Sequence, residues 1–251
     1  MFPIWPQTPG AALINTPHFQ AVAQLAPEVV RERSVMAIGG PSGMGKTVSV
    51  EMALRGTELP VLRLVMPQRL KGKQLIVELL RGCGQRPNPG RPEWQLLADL
   101  EDLLDDEPRV ILVDEVKSIG VEGLRTFHFL RERRRPPKWS LFLVGTDIEE
   151  ELAAVPALNS RTWRRVHFDA WPSETVISNL RAYHPLFAQI DSRHLLKLDD
   201  EAYRGNFRAW DGFLLGLLQR LPADHTGPID AKLLTALKVA QFGTRRSRRA
   251  A

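Results

Sequence analysis

One cysteine, Cys83, is all that 251 residues contain. That excludes an intramolecular disulfide and any cysteine-rich zinc site, and it points to a reducing compartment. Long apolar runs are missing as well: no stretch approaches the ~18 residues a membrane span requires, so no membrane partner is expected. The opening Met1-Phe2-Pro3-Ile4-Trp5-Pro6 lacks the basic-then-apolar layout of a secretory signal. A cytoplasmic location is therefore expected. The six histidines show no metal-ligand spacing, so no zinc is expected either. There is no internal repeat. Neither charge is in strong excess: the formal net charge is +5, but it is unevenly placed. Arg245, Arg246, Arg248 and Arg249 carry most of it, and a second cluster runs through Arg131, Arg133, Arg134, Arg135 and Lys138. Such clusters fit a polyanion partner, and each also fits a solvated helix face or tail.

What the chain does have is a glycine-rich turn that names a ligand. Gly40-Pro41-Ser42-Gly43-Met44-Gly45-Lys46-Thr47 spells GxxxxGKT, between the apolar run Val35-Met36-Ala37-Ile38 and a helix-like run that starts at Thr47-Val48. Glycines let such a turn wrap so that its N–H groups converge on a phosphate at the positive end of a helix. Lys46 would reach the β- and γ-phosphates, and Thr47 would offer its hydroxyl to Mg²⁺. ATP and Mg²⁺ are the expected cofactors, with residues 40–48 as the cradle.

Around this loop the pattern alternates. Thr16-Pro17 opens a helix that runs to about residue 30, with the hydroxyl as cap and proline at the first helical position. Strands are expected at 35–38, 60–66, 109–113, 139–144 and, short, at 166–168. Helices are expected at 74–82, 93–104, 121–134 and 148–154. This order predicts an α/β fold, a parallel sheet with helices on both faces. From Trp171 onward only helices are expected, near 173–182, 192–196, 206–221 and 230–242. Three segments follow: a core over 1–170 that opens with an extended stretch over 1–15, a helical lid over 171–243, and a basic tail over 244–251. The tryptophans Trp94, Trp139, Trp163, Trp171 and Trp210 fall in or beside elements, where packing is the default. Trp5 alone suggests a subunit contact.

Two further strand ends carry chemistry. Val110-Ile111-Leu112-Val113 runs into Asp114-Glu115, and strand ends in α/β sheets deliver side chains to the ligand crevice. Asp114 is placed to hold Mg²⁺ through water, and Glu115 to polarise a water for attack on the γ-phosphate. Leu141-Phe142-Leu143-Val144 leads to Gly145-Thr146-Asp147, where Thr146 can orient the attacking water or simply open a helix.

With these three motifs in order, the chain resembles the AAA+ ATPases: Walker A at 40–47, Walker B at Asp114-Glu115 and sensor 1 at Thr146. The resemblance implies a Mg²⁺-dependent ATPase that is slow until stimulated by assembly or partners. It also places an arginine finger at Arg161, with Arg164 and Arg165 as alternatives on the same segment, and a sensor 2 arginine at Arg208. An arginine supplied by a neighbouring subunit makes hydrolysis depend on oligomerisation. Within the family, residues 60–67, 71–84 and 114–117 resemble the MuB/TniB/TnsC group of transposition regulators, although Lys117 stands where Gln is frequent. That group implies a homo-oligomeric ring or helical filament on double-stranded DNA, with a transposase and a target-selection protein as partners. Sequence-tolerant backbone contacts would then come from Arg69, Lys71, Lys73, Arg125, Arg131 and Arg134. The same layout occurs in ExeA-like and Orc/Cdc6-like branches, so an ATP-gated protein-interaction switch, such as a helicase loader or secretion-type ATPase, is the alternative.

Overall fold

The computed structural model of the protein describes residues 7–65, 72–133, 136–222 and 225–243. Its contacts fall into two units: one holds Pro17–Ser42 and Lys46–Phe168, the other the remaining described residues, among them Gly43–Gly45.

The first unit is built on a five-stranded sheet in the order β2-β3-β4-β1-β5. The strands are β1 (Val35–Gly39), β2 (Val61–Val65), β3 (Arg109–Asp114), β4 (Trp139–Val144) and β5 (Thr162–His167), and every pairing is parallel. Parallel strands need crossovers, and the crossovers bring helices that cover both faces. That is why the central strands read as unbroken apolar runs. Val35, Ala37, Leu62, Leu64, Ile111, Val113, Leu141 and Leu143 point to one face. There they meet α3 (Gly72–Gly82), α4 (Glu93–Asp106), α5 (Gly120–Arg133) and α6 (Ile148–Ala153). Met36, Ile38, Val110, Leu112 and Phe142, of the opposite parity, are also buried. Helix α1 (Pro17–Arg31) packs on α2 (Lys46–Leu54) and on β1, β4 and β5.

Most expected elements are present, with instructive differences. Strand β5 begins at Thr162, four residues before the expected start. It is an edge strand, half exposed, and its charged Arg164 and Arg165 make it read as loop. A short 3₁₀ turn (Val116–Ser118) and a one-turn helix α7 (Pro156–Asn159) fill connections that sequence periodicity leaves blank. Trp139, Trp171 and Trp210 are packed as expected, but Trp94 is 69% and Trp163 43% exposed. Trp94 lies in the first turn of α4, and Trp163 faces outward on the edge strand under the Arg164 guanidinium, 3.9 Å from the ring centroid.

The second unit is helical: α8 (Ser173–Tyr183), α9 (Ser192–Leu198), α10 (Phe207–Leu218) and α11 (Ala231–Phe242). Its core is aromatic, with Tyr203 stacked on Trp210 at 4.1 Å between ring centroids. A π-helical turn (Asp199–Tyr203) follows α9, and its buried Asp199 accepts the Gly205 N–H at 2.8 Å and the Trp210 indole N–H at 2.9 Å. Gly205 has φ +66, and a Cβ there would lie 2.3 Å from the Trp171 carbonyl oxygen, so only glycine fits. The chain before α1 belongs here too: the Ala12 N–H donates to the Tyr183 carbonyl at 2.8 Å, and Thr8 and Tyr183 hydroxyls both donate to Asp211. Among the described residues, no helix is long and apolar enough to cross a membrane.

Candidate functional site

Register brings the signals together before any side chain is considered. Asp114 at the end of β3 is level with Val144 of β4, and Val144 is level with Ile38 of β1. The glycine loop, Asp114 and Thr146 therefore leave the same edge of the sheet, the edge where open α/β sheets bind ligands. The Gly145 N–H donates to the Ile38 carbonyl at 3.1 Å and fixes the turn that presents the exposed Thr146.

The loop residues have the backbone that their composition demands. Gly40, Gly43 and Gly45 have φ of +117, +84 and +92. At Gly40 a Cβ would fall 2.0 Å from the Phe168 carbonyl oxygen, whereas at Gly45 it would meet nothing within 4 Å. The first glycine is thus required by packing, and the last keeps open space beside the loop. Lys46 opens α2 and is buried; its ammonium donates to the carbonyls of Gly40 at 2.5 Å and Pro41 at 2.7 Å. A phosphate oxygen is a stronger acceptor for that ammonium than either carbonyl. Pro41 and Ser42 are exposed, Met44 is buried and Val48 half-buried.

Thr47 donates its hydroxyl to Asp114 Oδ1 at 3.1 Å. The donated proton leaves the Thr47 oxygen lone pairs available to a hard cation, and a carboxylate stands beside it. Hydroxyl and carboxylate oxygens, with water, are what Mg²⁺ prefers, so the donor set fits it. Among the described residues there is no cluster of three or more histidine, cysteine or carboxylate groups able to hold another metal.

Glu115 follows Asp114 in the left-handed region, φ 65 and ψ 66, and its side chain is exposed. A non-glycine residue there costs about 1–2 kcal/mol, and such strain collects at functional positions. Lys117 pairs with Asp147 at 3.2 Å across the turn.

The three arginines of the finger segment are held differently. Arg161 pairs with Glu132 at 2.7 Å and stays 43% exposed. Arg164 pairs with Glu28 at 2.8 Å, and Arg165 bonds Glu149 and both oxygens of Asn159. Thr162 pairs with Val35 and His167 with Gly39, so Arg161 lies at the opposite end of the strands from the glycine loop. Five strand residues at ~3.3 Å each separate them by roughly 16 Å. Arg161 therefore has no reach to the loop of its own chain.

Of the expected DNA contacts, Arg69, Lys71 and Arg134 lie outside the described residues, as does the tail 244–251. Lys73 is half-buried in the first turn of α3, and Arg125 is exposed on α5. Arg131 is committed to the fold: it donates to the Trp139 carbonyl at 3.1 Å and the Arg33 carbonyl at 2.8 Å, over the Trp139 ring. Arg208 sits in the first turn of α10, where Asn206 caps the helix by accepting the Ala209 N–H at 3.1 Å. Within that unit the Arg208 N–H donates to the Gly43 carbonyl at 3.0 Å.

Two residues of the site escape motif reading. Arg63 of β2 donates to Asp114 Oδ2 at 2.8 Å and forms an ion pair with Glu51 of α2. The available signal is an arginine in the middle of the apolar run Val61-Leu62-Arg63-Leu64-Val65. A charge placed there demands a buried partner.

The family model described as an AAA domain matches residues 30–152. No curated protein sequence matches the chain. Solved structures similar in fold include the Aeropyrum pernix ORC2 protein in ADPNP-ADP complexes, with TM-score 0.68 and 16% identity over 95% of this chain and 70% of that one. The Aeropyrum pernix ORC1 protein in complex with DNA gives TM-score 0.69 and 14% identity, covering 94% and 68%. The Thermotoga maritima RuvB Holliday junction branch migration motor gives 0.59 and 12%, covering 92% and 72%. The fold is that of the AAA+ P-loop NTPases, and these findings support placement in the AAA+ family.

Proposed function

We propose that the chain is a Mg²⁺-dependent AAA+ ATPase that assembles on double-stranded DNA and regulates transposition by recruiting or activating a transposase. The observation that carries the nucleotide part is the Thr47–Asp114 bond beside a glycine loop whose first glycine admits no side chain. Thr47 and Asp114 would hold the metal, which when bound neutralises charge on the transferred phosphoryl group. Lys46 binds the phosphates, Glu115 accepts the proton of the attacking water, and Thr146 orients that water. Arg161, out of reach of its own loop, serves the neighbouring subunit, and Arg208 reports phosphate occupancy to the helical unit.

The DNA part is supported by the exposed Arg125 and the half-buried Lys73, and by fold neighbours described as in complex with DNA or as a Holliday junction branch migration motor. The transposition part rests on the sequence resemblance to the MuB/TniB/TnsC group. A helicase loader or secretion-type switch shares the same fold. Binding of duplex DNA across a salt series, with a non-hydrolysable ATP analogue, tests the reading. The expected result is affinity that needs the analogue and falls steeply with salt. Absence of DNA binding with the analogue, together with capture of a protein partner, would favour the switch.

A further inference from the structure

Glu51 is fully buried on α2, four residues after Thr47 and so on the same helix face. A buried carboxylate requires a charged partner, and Arg63 supplies it. The same guanidinium also holds Asp114 Oδ2 at 2.8 Å, while Asp114 Oδ1 accepts the Thr47 hydroxyl at 3.1 Å. One cation is therefore shared by two carboxylates, and one of those is Asp114, the group proposed to hold Mg²⁺.

We infer that Arg63 is a positioning residue that sets the magnesium affinity of the nucleotide site, with Glu51 setting how tightly Arg63 holds Asp114. The inference deepens the ATPase reading and rests on it. Arg63 aims both Asp114 oxygens: with Oδ2 held, Oδ1 stays on Thr47. It also places a positive charge within hydrogen-bond distance of the carboxylate that must attract a divalent cation, which weakens that attraction. Glu51 draws the guanidinium the other way. Removing the arginine charge should therefore tighten magnesium binding, and removing the Glu51 charge should loosen it. A purely structural pair would behave differently, because damage from either side would weaken the site alike.

The test is binding of a fluorescent ATP analogue by the full chain, titrated with Mg²⁺, with thermal unfolding recorded alongside. For Arg63→Gln the half-saturating Mg²⁺ should fall roughly tenfold; for Glu51→Gln it should rise severalfold. Arg63→Lys, which keeps the charge, should stay within about twofold of wild type. Binding in excess chelator should be the same in all four proteins. Shifts of the same sign in Arg63→Gln and Glu51→Gln, or no shift, would overturn the proposal. If Arg63→Gln does not fold, the double variant Arg63→Met/Glu51→Gln, which leaves no unpaired buried charge, takes its place. Its half-saturating Mg²⁺ must still lie below wild type, and a value at or above wild type overturns the proposal. Failure of wild type to bind the analogue at any Mg²⁺ level contradicts the ATPase reading itself and is told apart by that control.

Discussion

Glu115 is the residue at which chain strain and expected chemistry coincide. Its left-handed backbone turns the chain sharply off β3, and the side chain is left exposed at the crevice edge. Replacing it with glutamine keeps the shape and removes the proposed base, so steady-state turnover should drop about 10²- to 10⁴-fold while analogue binding persists. Glu115→Gly should lose turnover equally and yet be about 0.5–1 kcal/mol more stable than Glu115→Gln in urea unfolding, because glycine accepts this backbone without strain. Normal turnover in either variant would remove Glu115 from the mechanism. At this scale the sequence is legible where chemistry dictates spacing: Gly40, Lys46, Thr47 and Asp114 are readable from the motif alone. Arg63 and Glu51 are not, because what joins them is a contact between α2 and two strands that no local pattern encodes. The exposure of Trp94 is equally hidden, since a helical period gives a residue's face but not what covers that face.

Elements divide into those whose apolar pattern is strong and those that depend on a neighbour. Strands β3 and β4 read directly as continuous apolar runs, whereas β5 is half-polar and owes its existence to β1. Helix α5 shows that one residue of a basic cluster can also serve the fold. Arg131 there donates to the carbonyl of Arg33, just past the end of α1, so it joins two elements. Arg131→Ala should cost about 2–3 kcal/mol of stability with little change in the salt dependence of DNA binding. Arg125→Ala should do the reverse, with stability within ~0.5 kcal/mol and a log–log salt slope lower by about 1. Urea unfolding and a salt series on both variants separate the roles.

In the helical unit, His184 is buried and its Nδ1 accepts the Leu186 N–H at 3.2 Å, which requires a neutral ring. Burial pushes its pKa below the usual histidine value, so the folded state binds fewer protons than the unfolded one. Its contribution is therefore present above the ordinary pKa of about 6.5 and is lost as pH falls below it. The urea midpoint should decline between about pH 7.5 and 5.5, and His184→Asn, which retains an acceptor, should flatten that decline.

For the whole molecule, the arrangement of charges matters more than their sum. Arg161 is out of reach of its own glycine loop, so the finger role proposed for it requires a second copy of the chain. ATPase activity per chain should rise with protein concentration, and Arg161→Ala should abolish that rise while leaving analogue binding within about twofold. Activity that is independent of concentration and intact in Arg161→Ala would indicate a monomeric hydrolase. If nucleotide held by the glycine loop governs assembly on DNA, electron microscopy will show it. The protein would be imaged with duplex DNA and a non-hydrolysable ATP analogue, beside Lys46→Ala under the same conditions. Rings or helical filaments on the DNA with wild type, and bare DNA with Lys46→Ala, are the predicted result. Bare DNA in both samples, or identical assemblies in both, would contradict it.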